Sequence, residues 1–207
     1  MKKNISKNIY STNHNNYFDK ITVQNRSKML SLIQDFLIDK NLNDILDIGS
    51  TNDFSNESSN FLIRNLKNFK IYKSISDQKI ELPFFSKSLN KSIIDNFTDS
   101  ELNDFKSDVV ISNATIEHVG NLNNQIKMCE NIIKLSKKYF IIITPNRFHP
   151  FDFHSKLPLI HWLPKKIHRN ILSFIGMKFL SKEENLNLLS HGDLVFIMGR
   201  LKQLNYE

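Results

Sequence analysis

Asp47 and Gly49 stand in Ile45-Leu46-Asp47-Ile48-Gly49-Ser50, a carboxylate two residues before a glycine at the end of an apolar run. A glycine there lets backbone N–H groups come close to a ligand, and the carboxylate can hold its polar end. Taken alone, the same acid could simply cap the turn. His118 offers a proton acceptor suited to neutral pH, or else a helix-surface histidine that steadies its loop. Farther on, the segment from Phe148 to Trp162 gathers His149, His154, His161, Phe148, Phe151 and Phe153. Aromatic faces with polar tips suit sugars and other rings, although such side chains also form hydrophobic clusters beneath long loops. The spacing of these three histidines does not put them on one helical face, and Cys129 lies on a separate helix, so no metal site is expected.

Positioning those residues requires an ordered scaffold, and the apolar periodicity supplies one. Leu30, Ile33, Phe36 and Leu37 predict an amphipathic helix over 24–40. Asp44 to Ile48 reads as a central strand buried on both faces. A polar loop follows, then a helix over about 57–68 with Phe61, Leu62 and Leu66 inward. Strands are predicted at 69–75, 91–95, 107–112 and 139–143, with 76–90 irregular. Between the last two strands, Leu122, Ile126, Cys129, Ile132, Ile133 and Leu135 mark a helix over 121–137. Pro164 suits the first turn of a helix through Phe174 closed by Gly176. Ser181-x-x-Glu184 and Ser190-x-x-Asp193 resemble helix caps, and Leu194, Ile197, Leu201 and Leu204 line the last helix. Strands alternating with crossovers imply an α/β fold with a doubly wound, mostly parallel sheet. Ligands bind such sheets beyond the strand carboxyl ends, where the strand order reverses.

With 207 residues, 40% hydrophobic and 24% charged, the chain suits one globular domain. Residues 1–20 read as a flexible lead-in and 21–207 as the domain, with a substrate-side aromatic and histidine segment at 144–164. No apolar run reaches the roughly 20 residues of a membrane span. One cysteine allows no intramolecular disulfide and points to a reducing, cytoplasmic setting. The net charge of +7 is carried by lysines scattered among asparagines, which argues against a nucleic-acid stripe. Lys165-Lys166-Ile167-His168-Arg169 reads as a solvated helix start, though Trp162 nearby could let that face touch a membrane surface.

The chain resembles the class I S-adenosylmethionine-dependent methyltransferases, in particular the group called type 11. The resemblance rests on Ile45-Leu46-Asp47-Ile48-Gly49, on Ser107-Asp108-Val109-Val110-Ile111-Ser112-Asn113-Ala114, and on Ile116-Glu117-His118-Val119. A narrower likeness to a subgroup lies in Thr144-Pro145-Asn146-Arg147, Phe153-His154, Leu157-Pro158-Leu159, His161-Trp162-Leu163-Pro164 and Glu184-Asn185-Leu186-Asn187-Leu188. It implies a Rossmann-like methyltransferase fold and S-adenosyl-L-methionine as cofactor. Gly49 and Ser50 would lie under its methionine portion with Asp47 close by, and Asp77 would take the ribose hydroxyls. Asp95 and Asn96 would face the adenine, while Asn113 and Ala114 close the pocket. On the acceptor side, His118 and His154 are the candidate bases, and Asn146, Arg147, His154, His161 and Trp162 the candidate substrate contacts.

Two departures from the family stand out. Ser50, Thr51 and Asp53 replace small residues of the cofactor loop, and the chain stops at Glu207, where the family's terminal antiparallel strand pair should begin. Loss of that pair would expose a strand edge and could impair activity. The expected function is methyl transfer to an oxygen or nitrogen of a small molecule or glycan precursor. The rivals are a non-catalytic binding or scaffold domain and a nucleic-acid methyltransferase, the latter weakened because Asn113-Ala114-Thr115-Ile116 is no Asn-Pro-Pro-aromatic clamp.

Overall fold

A computed structural model describes residues 16–53 and 57–204. Its elements are helix α1 (Asn16–Leu37), strand β1 (Asp44–Ile48), helix α2 (Phe61–Asn65), strands β2 (Ile71–Ser76) and β3 (Lys87–Asn90), helix α3 (Asp99–Phe105), strand β4 (Ser107–Asn113), helix α4 (Leu122–Leu135), strand β5 (Ser136–Ile143), and helices α5 (Lys165–Phe174) and α6 (His191–Leu204). The five strands form one sheet in the order β3-β2-β1-β4-β5, and every pairing is parallel. From β1 the chain moves outward through β2 and β3, then returns to lay β4 on the other side of β1. This is a Rossmann-like α/β fold, and its order reverses between β1 and β4.

Alternation along the strands gives each face its own core. Leu46, Ile48, Ile75 and Val110 pack with Met128, Cys129, Ile132 and Leu135 of α4 and with Ile197 and Leu201 of α6. Ile45, Val109 and Ile111 on the opposite face pack with Ile33 and Leu37 of α1 and with Phe61 and Leu62 of α2. Phe36, expected to point inward, is about half exposed and meets the Tyr139 ring edge-on at 5.4 Å. The buried Cys129 thiol has its pKa pushed up to about 12, first by burial and then by Glu130. Among the described residues, no helix is long and apolar enough to cross a membrane.

Several boundaries differ from the sequence reading. The expected lead-in lies outside the described residues up to position 15, and α1 already runs from Asn16. The third strand is at Lys87–Asn90, not 91–95. Ile93 and Ile94 suggested a strand there, but they occupy a turn whose carbonyls, Ile93 at 2.6 Å and Asp95 at 2.9 Å, accept from the Asn131 amide of α4. The true β3 is a polar edge strand whose register is set by β2, Ser76 pairing Asn90. β5 starts at Ser136 because α4 runs into it without a loop. Ser181 to Glu184 forms turns only, whereas Ser190 and Asp193 do cap α6, Ser190 Oγ accepting from the Asp193 amide at 3.2 Å.

At the amino end of the sheet, the buried Asp44 gathers the scaffold. Its carboxylate accepts from Lys73 Nζ at 3.0 Å, Lys137 Nζ at 3.1 Å and the Asp108 amide at 2.8 Å. Burial alone would raise its pKa, but the Asp108 amide and the two lysines outweigh it, so Asp44 titrates below the ordinary range. Asp44→Ala leaves Lys73 buried without its partner, and breaking such a pair costs on the order of 3 kcal/mol. Urea unfolding should show a midpoint lowered accordingly with the slope unchanged.

Candidate functional site

Two clusters form at the carboxyl ends of β1 and β4, on either side of the point where the strand order reverses. In the first, Asp47 is 7% exposed and accepts a hydrogen bond from the Ser50 hydroxyl. Ser50 is locked in turn: its Oγ accepts from Ser74 Oγ at 3.0 Å, and its carbonyl accepts from Ser76 Oγ at 2.8 Å. Burial pushes the Asp47 pKa up to about 6, with the Ser50 hydrogen bond pulling weakly the other way.

Gly49 has φ +90°, a conformation that side chains resist. A Cβ added there would clash with Thr115 Oγ1, and the Gly49 N–H already donates to the Ile75 carbonyl at 2.9 Å. The glycine expected beneath the cofactor thus has its own N–H occupied within the protein. Its freedom serves a tight turn beneath Thr115, whose hydroxyl reaches the Ile48 carbonyl at 3.2 Å. Thr51 N–H is likewise committed to Asn60 Oδ1 at 3.1 Å.

The remaining expected cofactor residues divide. Asp77 follows the last residue of β2 and is exposed beside this loop. Asn113 ends β4, and Ala114, at φ 54°, anchors its N–H on the Ile143 carbonyl at 2.8 Å. Asp95 and Asn96 are exposed in the turn after β3 rather than at a strand end, because β3 closes five residues before Asp95.

The second cluster is built on the 3₁₀ turn Ile116–His118, not on a helix as the sequence suggested for His118. Glu117 is fully buried, with Oε2 accepting from Thr144 Oγ1 at 2.9 Å. Its Oε1 has no hydrogen-bond partner among the described residues and lies 3.7 Å from His154 Nε2. Arg26 of α1 donates to the Ser58 carbonyl, and the charge of Glu117 favours its protonated form against burial. His118 Nδ1 lies 2.7 Å from the Asn185 carbonyl, and the His118 and His154 rings stand edge-to-face at 5.0 Å.

Burial lowers the His118 pKa more than Glu117 and Asp152 raise it. Burial also opposes charge on His154, but the Asp152 hydrogen bond and the charges of Glu117 and Asp152 prevail and raise its pKa. Asp152 is held well below the carboxylate range: burial is outweighed by His154 and by Ser155, whose hydroxyl donates at 2.6 Å.

The long loop after β5 supplies His154 to this cluster, but its other expected substrate contacts brace the loop itself. Arg147 donates from Nε to the His161 carbonyl at 3.0 Å and from a terminal nitrogen to the Leu163 carbonyl at 2.6 Å. His161 is buried against the His149 carbonyl at 2.7 Å, which Trp162 Nε1 also reaches at 3.0 Å. Asn146 Oδ1 accepts from the Phe148 amide at 3.0 Å. Arg147 and His161 are thus engaged within the loop. Residues 184–188 strap the turn from the other side, with the Asn187 amide donating to the Glu117 carbonyl at 2.7 Å and its side chain to the Gly120 carbonyl at 2.9 Å.

The sequence reading assigned no role to Asp152, Glu117 or Thr115. Asp152-x-His154 carried the one available signal, an acid two residues before a histidine.

No protein-family model matches the chain, and no curated protein matches it significantly. Two crystal structures of the N-methyltransferase NodS from Bradyrhizobium japonicum WM9 are similar to it, one in complex with S-adenosyl-L-homocysteine. Their identities are 12% and 13%, over 56% and 57% of this chain, each with a TM-score of 0.38. The matched part spans 57% and 64% of those chains, less than two thirds of their length.

Two outcomes follow from the β1 turn. Gly49→Ala should destabilise the fold by roughly 2 kcal/mol or more through strain and the Thr115 clash. In a Thr115→Ala background the same change should cost measurably less, a coupling readable from a double-mutant cycle in urea. For Asp47, the native pKa lies above the unfolded value, so the native state binds more protons in between. Stability should fall as pH rises from about 4 to about 6 and stay low above that. Asp47→Asn should flatten this slope and raise stability at pH 8 by up to roughly 2 kcal/mol in thermal melts followed by circular dichroism.

Proposed function

We propose that the chain is an S-adenosylmethionine-dependent methyltransferase acting on an oxygen or nitrogen of a small molecule or glycan precursor. The observation that carries this reading is Asp47, a buried carboxylate without a cationic partner among the described residues, at the reversal point of a parallel sheet. A carboxylate raised by burial gains from a positively charged ligand group, which would hold it ionised. The site residues suit the cofactor: Asp47 for its charged end, Asp77 for ribose hydroxyls, and Asn113 and Ala114 as the wall at β4. When bound, S-adenosylmethionine supplies an electrophilic methyl group for in-line displacement, so the protein's task is mainly alignment. His118, with His154 from the loop over 144–164, would serve the acceptor side. A buried thiol and scattered lysines accord with a cytoplasmic enzyme of small acceptors.

A second reading, a non-catalytic binding or scaffold domain, is favoured by one specific observation. The Gly49 and Thr51 N–H groups are already used within the protein, and Thr115 covers Gly49.

Calorimetry with S-adenosylhomocysteine separates the two. The enzyme reading expects micromolar binding that weakens as pH drops below about 6, where Asp47 protonates, and that Asp47→Asn reduces at least tenfold. A folded chain that takes up no S-adenosylhomocysteine leaves the scaffold reading. Labelled-methyl transfer to cell extract then identifies the acceptor class.

A further inference from the structure

Glu117, His118 and His154 offer one carboxylate oxygen and two imidazole nitrogens that all lie within 4.8 Å of one another. We propose that these three side chains form a binding site for a divalent first-row transition ion of the zinc type. The ion site stands on its own geometry, while its role toward an acceptor rests on the methyl-transfer reading.

Three observations support the site independently of the distances. Glu117 Oε1 is a buried oxygen without a hydrogen-bond partner among the described residues, a placement that is costly unless something fills it. Its other oxygen is fixed by Thr144, so the carboxylate is held in one orientation. Both imidazoles are braced at Nδ1, His154 by Asp152 Oδ1 at 3.1 Å and His118 by the Asn185 carbonyl at 2.7 Å. A ring that donates from Nδ1 carries its lone pair on Nε2 when neutral. Carboxylate- and carbonyl-backed histidines of this kind are the usual outer shell of metal ligands.

The three ligand atoms lie within 4.8 Å of one another, so an ion would draw them together by up to about 1 Å. Ligand atoms about 2.1 Å from a tetrahedral ion are about 3.4 Å apart. His154 Nε2 and Glu117 Oε1 are already at 3.7 Å. Two imidazoles and one carboxylate suit zinc or a neighbouring transition ion better than magnesium or calcium, which prefer all-oxygen shells. Three protein ligands leave at least one coordination position for water or an acceptor oxygen. The ligands come from separate segments, which is why the spacing of His149, His154 and His161 gave no sign of the site.

A metal-free alternative is a protonated His154 bridging Glu117 and Asp152. The full chain, treated with chelator and titrated with Co²⁺ as a visible probe, decides between them. A bound ion gives a saturable visible absorption at one equivalent per chain, displaced by Zn²⁺. His118→Ala and His154→Ala should each weaken binding at least tenfold. Asp152→Asn, which keeps the side-chain volume, should weaken it about tenfold or more. His191→Ala, at an exposed histidine outside the cluster, should leave it unchanged. Absence of a saturable band in the unaltered chain overturns the proposal, whatever the variants do, as does a band indifferent to both histidine substitutions. Calorimetry with S-adenosylhomocysteine on the same samples keeps the two readings apart: ion uptake without nucleoside uptake supports the metal site and removes methyl transfer, and the converse removes the metal site.

Discussion

β1 is the constraint around which the molecule is arranged. It lies between β2 and β4, all five of its residues are buried, and its alternate side chains seed both cores. A strand so enclosed has no room for an uncompensated charge, yet it carries two carboxylates. Asp44 is offset by two lysines and a backbone amide, and its charge is favoured. Asp47, three residues later at the opposite end of the sheet, has only a serine hydroxyl among the described residues, and burial disfavours its charge. One strand thus places a neutralised acid at the sheet's amino end and a poised one at its carboxyl end. The difference comes from what β2, β4 and β5 bring alongside, not from the residue type.

The sheet was legible because its signals are local. Asp44–Ile48 and Ser107–Asn113 are apolar runs bounded by turn residues, and α4 has a continuous stripe, so period and boundary agree. The misplaced third strand shows the opposite case. Lys87–Asn90 carries almost no apolar signal, and only its backbone pairing with β2 makes it a strand, while Ile93 is apolar because α4 covers a turn. Edge strands that owe their form to a neighbour leave little trace in their own residues.

The candidate site was legible in part, for a similar reason. Asp47, Gly49 and His118 stand in short motifs that a reader meets directly. Glu117 and Asp152 acquire their roles only when the loop after β5 folds back and sets His154 beside the 3₁₀ turn. Gly49 stands in such a motif too, but the contact above it comes from Thr115, distant in sequence. The motif Glu184-Asn185-Leu186-Asn187-Leu188 also takes on a physical meaning: its backbone and amides belt the turn that carries Glu117 and His118.

That belt joins positions more than sixty residues apart in the chain, as between Gln125 and Asn187 and between His118 and Asn185. Closing so long a loop costs entropy that only a completed scaffold can offset. The cluster of Glu117, His118 and His154 rests on this belt and on the loop after β5, so a local opening can dissolve it while the five-stranded frame persists beneath it. Foldedness and an intact cluster are in this way separable properties of the same molecule, and a sample with native secondary structure can still lack that arrangement of side chains.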